Sequence, residues 1–371
     1  MTLLLTGATG FLGMELLVRA VEADDRDVIC VIRAADDAHA ARRLADTLAR
    51  LYGDEVPPAA DRRLRAVAGD LERDGLGLGD AARADVAATV TRIVHSAATI
   101  SFDLPLEEAR AVNVAGTRQV LALGRAIHAD GRLERYVHVS TAYVAGRHAG
   151  AVAEDDRTVA GEPRNTYEQT KREAEALVFA AMDDGLPVVV ARPSIVVGDS
   201  HTGWTPAFNV LYFPLRALAR RLLVEVPADP ASLVDAVPID YVADAITHLA
   251  TTDGPVSGAY HLTAGGDVPS LGAMLEVACG ILGCPVPRVE APTAVLDAEA
   301  GDHQGGVFVP YFDVHSHYET ARARAVLEPA GITCPPLLSY FTRLTDYALA
   351  ANWGKTGVPR AEAVRDAAVR V

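Results

Sequence analysis

Cysteine is scarce in this chain. Its 371 residues hold four, Cys30, Cys279, Cys284 and Cys334, scattered without the spacing of a disulfide framework or a four-ligand zinc site. Positive charge is also short: 34 Lys and Arg face 49 Asp and Glu, for a net charge of −15. That balance argues against a nucleic-acid-binding surface, because phosphate backbones demand concentrated cations. No apolar run approaches the roughly 20 residues that span a bilayer, the longest being broken by Arg, Asp or Pro. The first strand begins at Leu3, which leaves no room for a secretory or transit peptide, so a cytoplasmic protein is expected. No internal repeat or low-complexity linker interrupts the chain. Half of the residues are hydrophobic, enough for a large core in one big or two modest domains.

What is present is a glycine turn. Leu3-Leu4-Leu5 reads as a buried parallel strand, Gly7, Gly10 and Gly13 follow in a G-x-x-G-x-x-G spacing, and Phe11 to Ala23 carries a helical apolar period. Such a turn aims unpaired N–H groups and the positive end of a helix dipole at an anion. An ordinary strand-to-helix turn shares the same spacing.

The context extends the reading. A second strand, Asp27 to Ile32, ends at Arg33, where a dinucleotide fold meets the adenosine ribose; an arginine there suits a 2′-phosphate and hence NADPH. A solvated arginine opening a loop is the alternative. A helical period covers residues 36 to 52, and a third strand, Leu64 to Ala68, ends at Gly69-Asp70-Leu71, where Asp70 either accepts from an adenine amino group or shapes a turn. The fourth strand, Thr91 to His95, exits through the small residues Ser96, Ala97 and Ala98. A helix is expected from Leu106 to Ala129, with Asn113 inside its apolar face as a cross-link to the neighbouring strand. A fifth strand, Arg135 to Val139, precedes Ser140-Thr141, and a sixth is expected over Pro187 to Ala191. The alternation predicts an α/β fold, a Rossmann-type doubly wound parallel sheet.

Residues 1–198 are expected to form the dinucleotide-binding domain, to which 232–264 returns. Residues 199–231 and 265–353 would build a smaller, mainly helical substrate lobe, and 354–371 a tail that is either a lone helix or frayed.

Tyr167-Glu168-Gln169-Thr170-Lys171 sets Tyr and Lys on one helix face. A lysine ammonium beside a phenol is expected to lower its pKa toward working pH, and the phenol can then serve a carbonyl that receives hydride. The pair becomes informative with a hydroxyl, Ser140 or Thr141, at the end of the fifth strand and the glycine turn at the first, because all three converge on the C-terminal edge of a parallel sheet. His315-Ser316-His317 and His303 are read as surface histidines, with no metal expected. Phe208, Val210, Leu211, Phe213 and Leu215 are candidates for an acyl channel or for plain packing. Arg216, Arg220 and Arg221 either receive an acidic group or are simply solvated.

Thr6 to Gly13, Gly69-Asp70-Leu71, His95 to Ala98, Asn113, Ser140-Thr141, Tyr167 with Lys171, and Arg192-Pro193 resemble the extended short-chain dehydrogenase/reductase superfamily over roughly residues 1 to 265. Val31-Ile32-Arg33-Ala34, Gly75-Leu76-Gly77-Leu78, Thr99-Ile100-Ser101-Phe102, Val139 to Val144 and Gly203-Trp204 narrow the likeness to the fatty acyl-CoA reductase and thioester reductase branch, which includes the reductase domains of carboxylic acid reductases and nonribosomal peptide synthetases. The resemblance implies Thr141, Tyr167 and Lys171 as the catalytic set, with Ser140 the lesser choice of hydroxyl. It implies that Thr6, Gly7, Thr9, Gly10, Phe11, Leu12 and Gly13 surround the cofactor pyrophosphate, Arg33 its 2′-phosphate, and Asp70 and Leu71 its adenine. Ser96, Ala97, Ala98, Asn113 and Lys171 would flank its ribose side, and Pro193 and Ile195 its nicotinamide. The implied activity is NADPH-dependent reduction of an acyl thioester, small-molecule or carrier-bound, to an aldehyde, with an alcohol as the further product of a second hydride. A ketone or hydroxyl oxidoreductase or an epimerase is the alternative. A monomer or a homodimer paired through the Leu106–Ala129 helix is expected.

Overall fold

Short runs rich in Val, Ile and Leu become strands where both faces are to be covered, and amphipathic runs between them become the covering helices. The computed structural model describes residues 1–22, 26–158, 161–208, 210–290, 311 and 313–369. In chain order its first half holds β1 (Thr2–Thr6), α1 (Phe11–Glu22), β2 (Asp27–Arg33), α2 (Asp37–Tyr52), α3 (Pro58–Arg63), β3 (Leu64–Gly69), α4 (Asp80–Thr89) and β4 (Val90–His95). It continues with α5 (Leu106–Arg110), α6 (Gly116–Ala129), β5 (Arg135–Val139), β6 (Gly150–Val152), α7 (Thr166–Asp183), β7 (Val188–Pro193) and β8 (Ile195–Val197). Then follow α8 (Tyr212–Ala219), β9 (Glu225–Pro227), β10 (Ala236–Pro238), α9 (Ile239–Thr251) and β11 (Gly258–Leu262). The last are α10 (Leu271–Leu282), β12 (Arg288–Glu290), β13 (Ser316–Tyr318), α11 (Ala321–Leu327), α12 (Leu337–Ala350) and α13 (Arg360–Val369). Ala23, the expected last residue of the first helix, lies outside the described residues.

Seven strands pair in the order β11-β7-β5-β4-β1-β2-β3, every pair parallel. Strand order reverses at β1, which puts a crevice at the C-terminal ends of β1 and β4. Side-chain alternation splits the core into two layers. Leu5, Val94 and Val137 face α1, α2 and α9, whereas Leu4, Ile93 and Tyr136 face α6 and α7. A third cluster, built on α8, α10 and α12, holds Tyr212, Leu215, Met274, Tyr340 and Phe341.

Three elements depart from the expected boundaries, each for a local reason. The sixth strand runs on to Pro193 because Arg192, a charged residue that should end a buried strand, is itself buried against the carboxylate of Glu175. The long helix is two α-segments joined by a π-turn, Ala111–Ala115. There Asn113 takes Thr99 N–H at 2.8 Å and donates to Thr99 O and Thr170 Oγ1, while Thr117 Oγ1 donates to the Asn113 carbonyl at 2.6 Å. The tail, read as lone or frayed, is the docked helix α13: Arg360 donates to the buried Glu15 of α1 at 2.7 Å, and Ala363 is buried. Among the described residues no helix is long and apolar enough to cross a membrane.

Candidate active site

The site grows from the β1 exit. Thr6 is the last residue of β1, and its hydroxyl accepts from Ala97 N–H at 3.2 Å and meets His95 Nδ1 at 2.8 Å, so the exits of β1 and β4 are stitched together. Gly7 turns the chain at φ 80°, and a Cβ there would lie 2.7 Å from Ala97 N. A Cβ on Gly13 would lie 2.0 Å from Gly7 O, so the first turn of α1 seats on the loop only because that position is glycine. Phe11, Leu12 and Gly13 line the same cleft and open the helix, where the first N–H groups have no intrahelical acceptors. These features fit a dinucleotide pyrophosphate: a backbone cradle with a helix dipole behind it, and no side chain in the way.

The cleft has a volume of about 1090 Å³ and runs from Arg33 to the helix that carries Tyr167. At its outer end Arg33 and Arg43 stand together, the guanidinium of Arg43 donating to the Arg33 carbonyl. Asp70 and Leu71 form one wall there, and Asp70 also closes its own turn by accepting from Glu72 N–H at 3.1 Å. Ser96, Ala97 and Ala98 pass along the middle, opposite Thr9, Gly10 and Leu12. At the inner end lie Thr141, Tyr167, Lys171, Pro193 and Ile195. Asn113 alone among the expected contacts is absent from the lining, because its amide is spent on Thr99 and Thr170.

The candidate trio is held from several sides. Asn165 caps α7, accepting from Glu168 N–H at 3.0 Å, while Glu168 reaches back to Arg164 N–H at 2.8 Å. Arg110 grips Glu173, Asn113 grips Thr170, and Arg192 grips Glu175, all from outside the helix. Lys171 donates to Val139 O at 2.7 Å. Thr141 donates to Pro193 O at 3.3 Å, accepts from Tyr143 N–H at 3.2 Å and lies near enough to Tyr167 to favour its ionised form.

The electrostatics correct the expectation for the phenol. Burial pushes Tyr167 up to about 12, against the smaller opposing effect of the Thr141 hydroxyl. Burial pulls Lys171 down to about 8, partly countered by Glu175. Desolvation sets the direction for the phenol, with Glu168 adding to it, and the ammonium is not among the groups that shift it. At neutral pH the pair is therefore a protonated phenol and an ammonium, which suits donation to a developing oxyanion.

Other candidates separate. Of the five acyl-channel residues, Val210 lines the cleft, whereas Leu215 is buried in the lobe core and Phe208 stacks near Tyr212 and Tyr347. His315 sits 2.9 Å from the Asp313 carboxylate, and His303 lies outside the described residues. Sequence reasoning missed Arg43, Ser194, Tyr143 and Tyr311, all of which line the cleft. For Arg43, its place on the exposed arginine-bearing face of α2 was a usable signal.

The Male sterility protein profile matches residues 5–246. Isonitrile lipopeptide synthase of Streptomyces coeruleorubidus is 33% identical over 261 residues, covering 68% of this chain and 17% of that one. Among solved structures, the terminal R domain from the myxalamid PKS-NRPS biosynthetic pathway superposes with a TM-score of 0.78 at 26% identity, covering 96% of this chain and 92% of that one. A thiolation-reductase di-domain from an archaeal non-ribosomal peptide synthetase gives a TM-score of 0.76 at 20% identity, covering 95% and 76%. The chain spans between 5% and 27% of the length of the curated relatives it matches. By this match and by its fold, the chain belongs to the NAD-binding Male sterility protein family, among the nicotinamide-dependent oxidoreductases of the extended short-chain dehydrogenase/reductase superfamily.

Proposed function

We propose that the protein is a cytoplasmic NADPH-dependent reductase that converts an acyl thioester to an aldehyde. The observation that carries the reading is the convergence of Thr141, Tyr167 and Lys171 at one end of a cleft whose other end presents Arg33 and Arg43. Two guanidiniums at the adenosine end favour a 2′-phosphate over a free hydroxyl. With its pyrophosphate held at the glycine turn and its nicotinamide beside Pro193 and Ile195, NADPH would supply a hydride to the thioester carbon. Tyr167 and Thr141 hydrogen-bond the carbonyl oxygen as negative charge develops, and Tyr167 gives up its phenolic proton there. Lys171 stabilises the phenolate left behind. Collapse of the resulting thiohemiacetal breaks the C–S bond and moves a proton from oxygen to the departing thiolate, leaving an aldehyde.

The carrier-bound form of the substrate draws support from the lobe surface as well as from the relatives. Arg220, Arg221 and Arg288 are exposed beside the exposed side chains of Leu222, Val224 and Val286, an apolar patch whose three guanidiniums outnumber the exposed acids Glu225 and Glu290 on an otherwise acidic protein. In this reading residues 199–231 and 265–353 are the substrate lobe, and the 1–198 unit with 232–264 holds the cofactor.

The test is oxidation of NADPH and of NADH against a panel of acyl-CoAs, carrier-bound acyl groups, aldehydes and ketones, with products identified by mass. NADPH loss with thioesters and aldehyde formation is the expected result. Turnover of ketones or alcohols alone would overturn it.

A further inference from the structure

Behind the inner wall of the cleft lies a carboxylate that none of the chemistry above uses. Asp235 is 2% exposed and directly precedes β10. Its Oδ1 accepts from Ser194 Oγ at 2.6 Å and from Ala264 N–H at 3.0 Å. Its main-chain carbonyl accepts from Ile195 N–H at 3.2 Å and from the Tyr143 hydroxyl at 3.5 Å. Ser194 and Ile195 line the cleft with Pro193, and Tyr143 lines it too. Three residues at that end, Ser194, Ile195 and Tyr143, therefore depend on the placement of Asp235.

Among the described residues no cation pairs with that acid. Its pKa is raised to about 6 by burial, opposed only by its two hydrogen bonds. The titratable groups around it are Tyr143, Tyr318, Tyr241, Tyr340 and Cys334, all neutral at neutral pH and all pushed further from ionising by burial and by Asp235 itself. A buried carboxylate without a counter-ion is expensive, and an amide of the same shape would make the same fold at lower cost. Folding alone does not explain the acid.

A path leads from it to the reacting centre. The Ser194 hydroxyl is drawn to Asp235, and Ser194 N–H is held by Leu262 O at 3.3 Å, so the Pro193–Ile195 strip is fixed from behind. The Pro193 carbonyl on that strip orients the Thr141 hydroxyl. We propose that Asp235 is a positioning residue for the reduction, acting through Ser194 and the Pro193 carbonyl on Thr141 and on the nicotinamide wall. A charged acceptor holds a hydroxyl about twice as strongly as a neutral one, so the strip is rigid with the carboxylate and looser with an amide or an acid proton. The inference rests on the reading of this cleft as the reductase site.

Asp235→Asn keeps the shape and one acceptor. The expected result is a fold and an NADPH dissociation constant close to wild type, a kcat lowered about tenfold, and loss of the decline in kcat that is expected of wild type as the pH falls through about 6. Ser194→Ala should lower kcat similarly, and the double variant should be no worse than either single one. Hydrogen exchange reads the same claim without turnover: the Ile195 amide should exchange about tenfold faster in Asp235→Asn at pH 7, after correction for intrinsic rates. Unchanged exchange in the 193–197 segment would overturn the proposal whatever the enzyme reduces, as would superimposable pH profiles of kcat in a wild type that is active. A wild type that reduces no carbonyl compound would instead refute the reductase reading and leave the exchange result to decide the role of Asp235.

Discussion

Lys171 donates its ammonium to the Val139 carbonyl at 2.7 Å, which ties the charge of the Tyr-x-x-x-Lys pair to the end of β5 and holds α7 against the sheet. The lysine is buried, and burial lowers its pKa from 10.5 to about 8. The unfolded chain keeps that proton up to the higher value, so below about 8 the folded protein bears the cost of a buried charge, and stability rises as the pH climbs between the two values. Lys171→Met should accordingly abolish reduction while raising stability at pH 7 by an amount on the order of 1–3 kcal/mol, read from urea or thermal unfolding. In wild type, kcat/KM should fall as the pH rises through about 8, where the free enzyme loses the ammonium.

In the proposed reduction Tyr167, held protonated by burial, is the acid. Tyr167→Phe should lower kcat by roughly 10²–10⁴-fold with little change in NADPH affinity, measured by steady-state kinetics and cofactor fluorescence. Thr141→Ala should fall within the same range, because the Thr141 hydroxyl shares the developing oxyanion. Equal losses in cofactor binding would mean that these side chains hold the dinucleotide rather than the reacting oxygen.

Arg33 and Arg43 should act as a unit. Removing either guanidinium should raise the KM for NADPH by about 10–100-fold, the worth of one charge-assisted hydrogen bond, and leave NADH kinetics nearly unchanged. Arg43→Ala should also loosen Arg33, whose carbonyl it holds, so the double variant should cost less than the sum of the single ones.

Gly13→Ala tests the cradle. A methyl group 2.0 Å from Gly7 O collides with backbone, which cannot swing away as a side chain would. The variant should lose about 2–3 kcal/mol of stability and bind neither NADPH nor NADH, measured by thermal unfolding and calorimetry.

The parts of the site that were legible in the sequence are those carried by one local segment. Gly7 to Gly13 announces a cradle because strand, turn and helix succeed one another in the chain, and Tyr167 with Lys171 announces a face because four residues make about one helix turn. The phenol's protonation was not legible, since it depends on burial by segments such as Phe102, whose ring lies 5.7 Å from that of Tyr167, and not on its neighbour in the motif. Asp235 reaches Ser194 and Ala264 across gaps of 41 and 29 residues, and no periodicity reports such a meeting. Asn113 shows the converse. Its motif was visible, but its amide is taken up by Thr99 and Thr170, partners 14 and 57 residues away. The tail docks through Glu15 and Arg360, residues that no local pattern connects.

The central claim is hydride delivery to a thioester carbon, and isotope transfer tests it most directly. The enzyme would be given NADPH carrying deuterium at both C4 positions with an acyl thioester, and the aldehyde would be analysed by mass spectrometry. One deuterium on the aldehyde carbon, formed with one equivalent of NADPH consumed and one of thiol released, is the predicted result. Aldehyde without the label, or no reaction of thioesters under conditions where a ketone or alcohol is turned over, would contradict it.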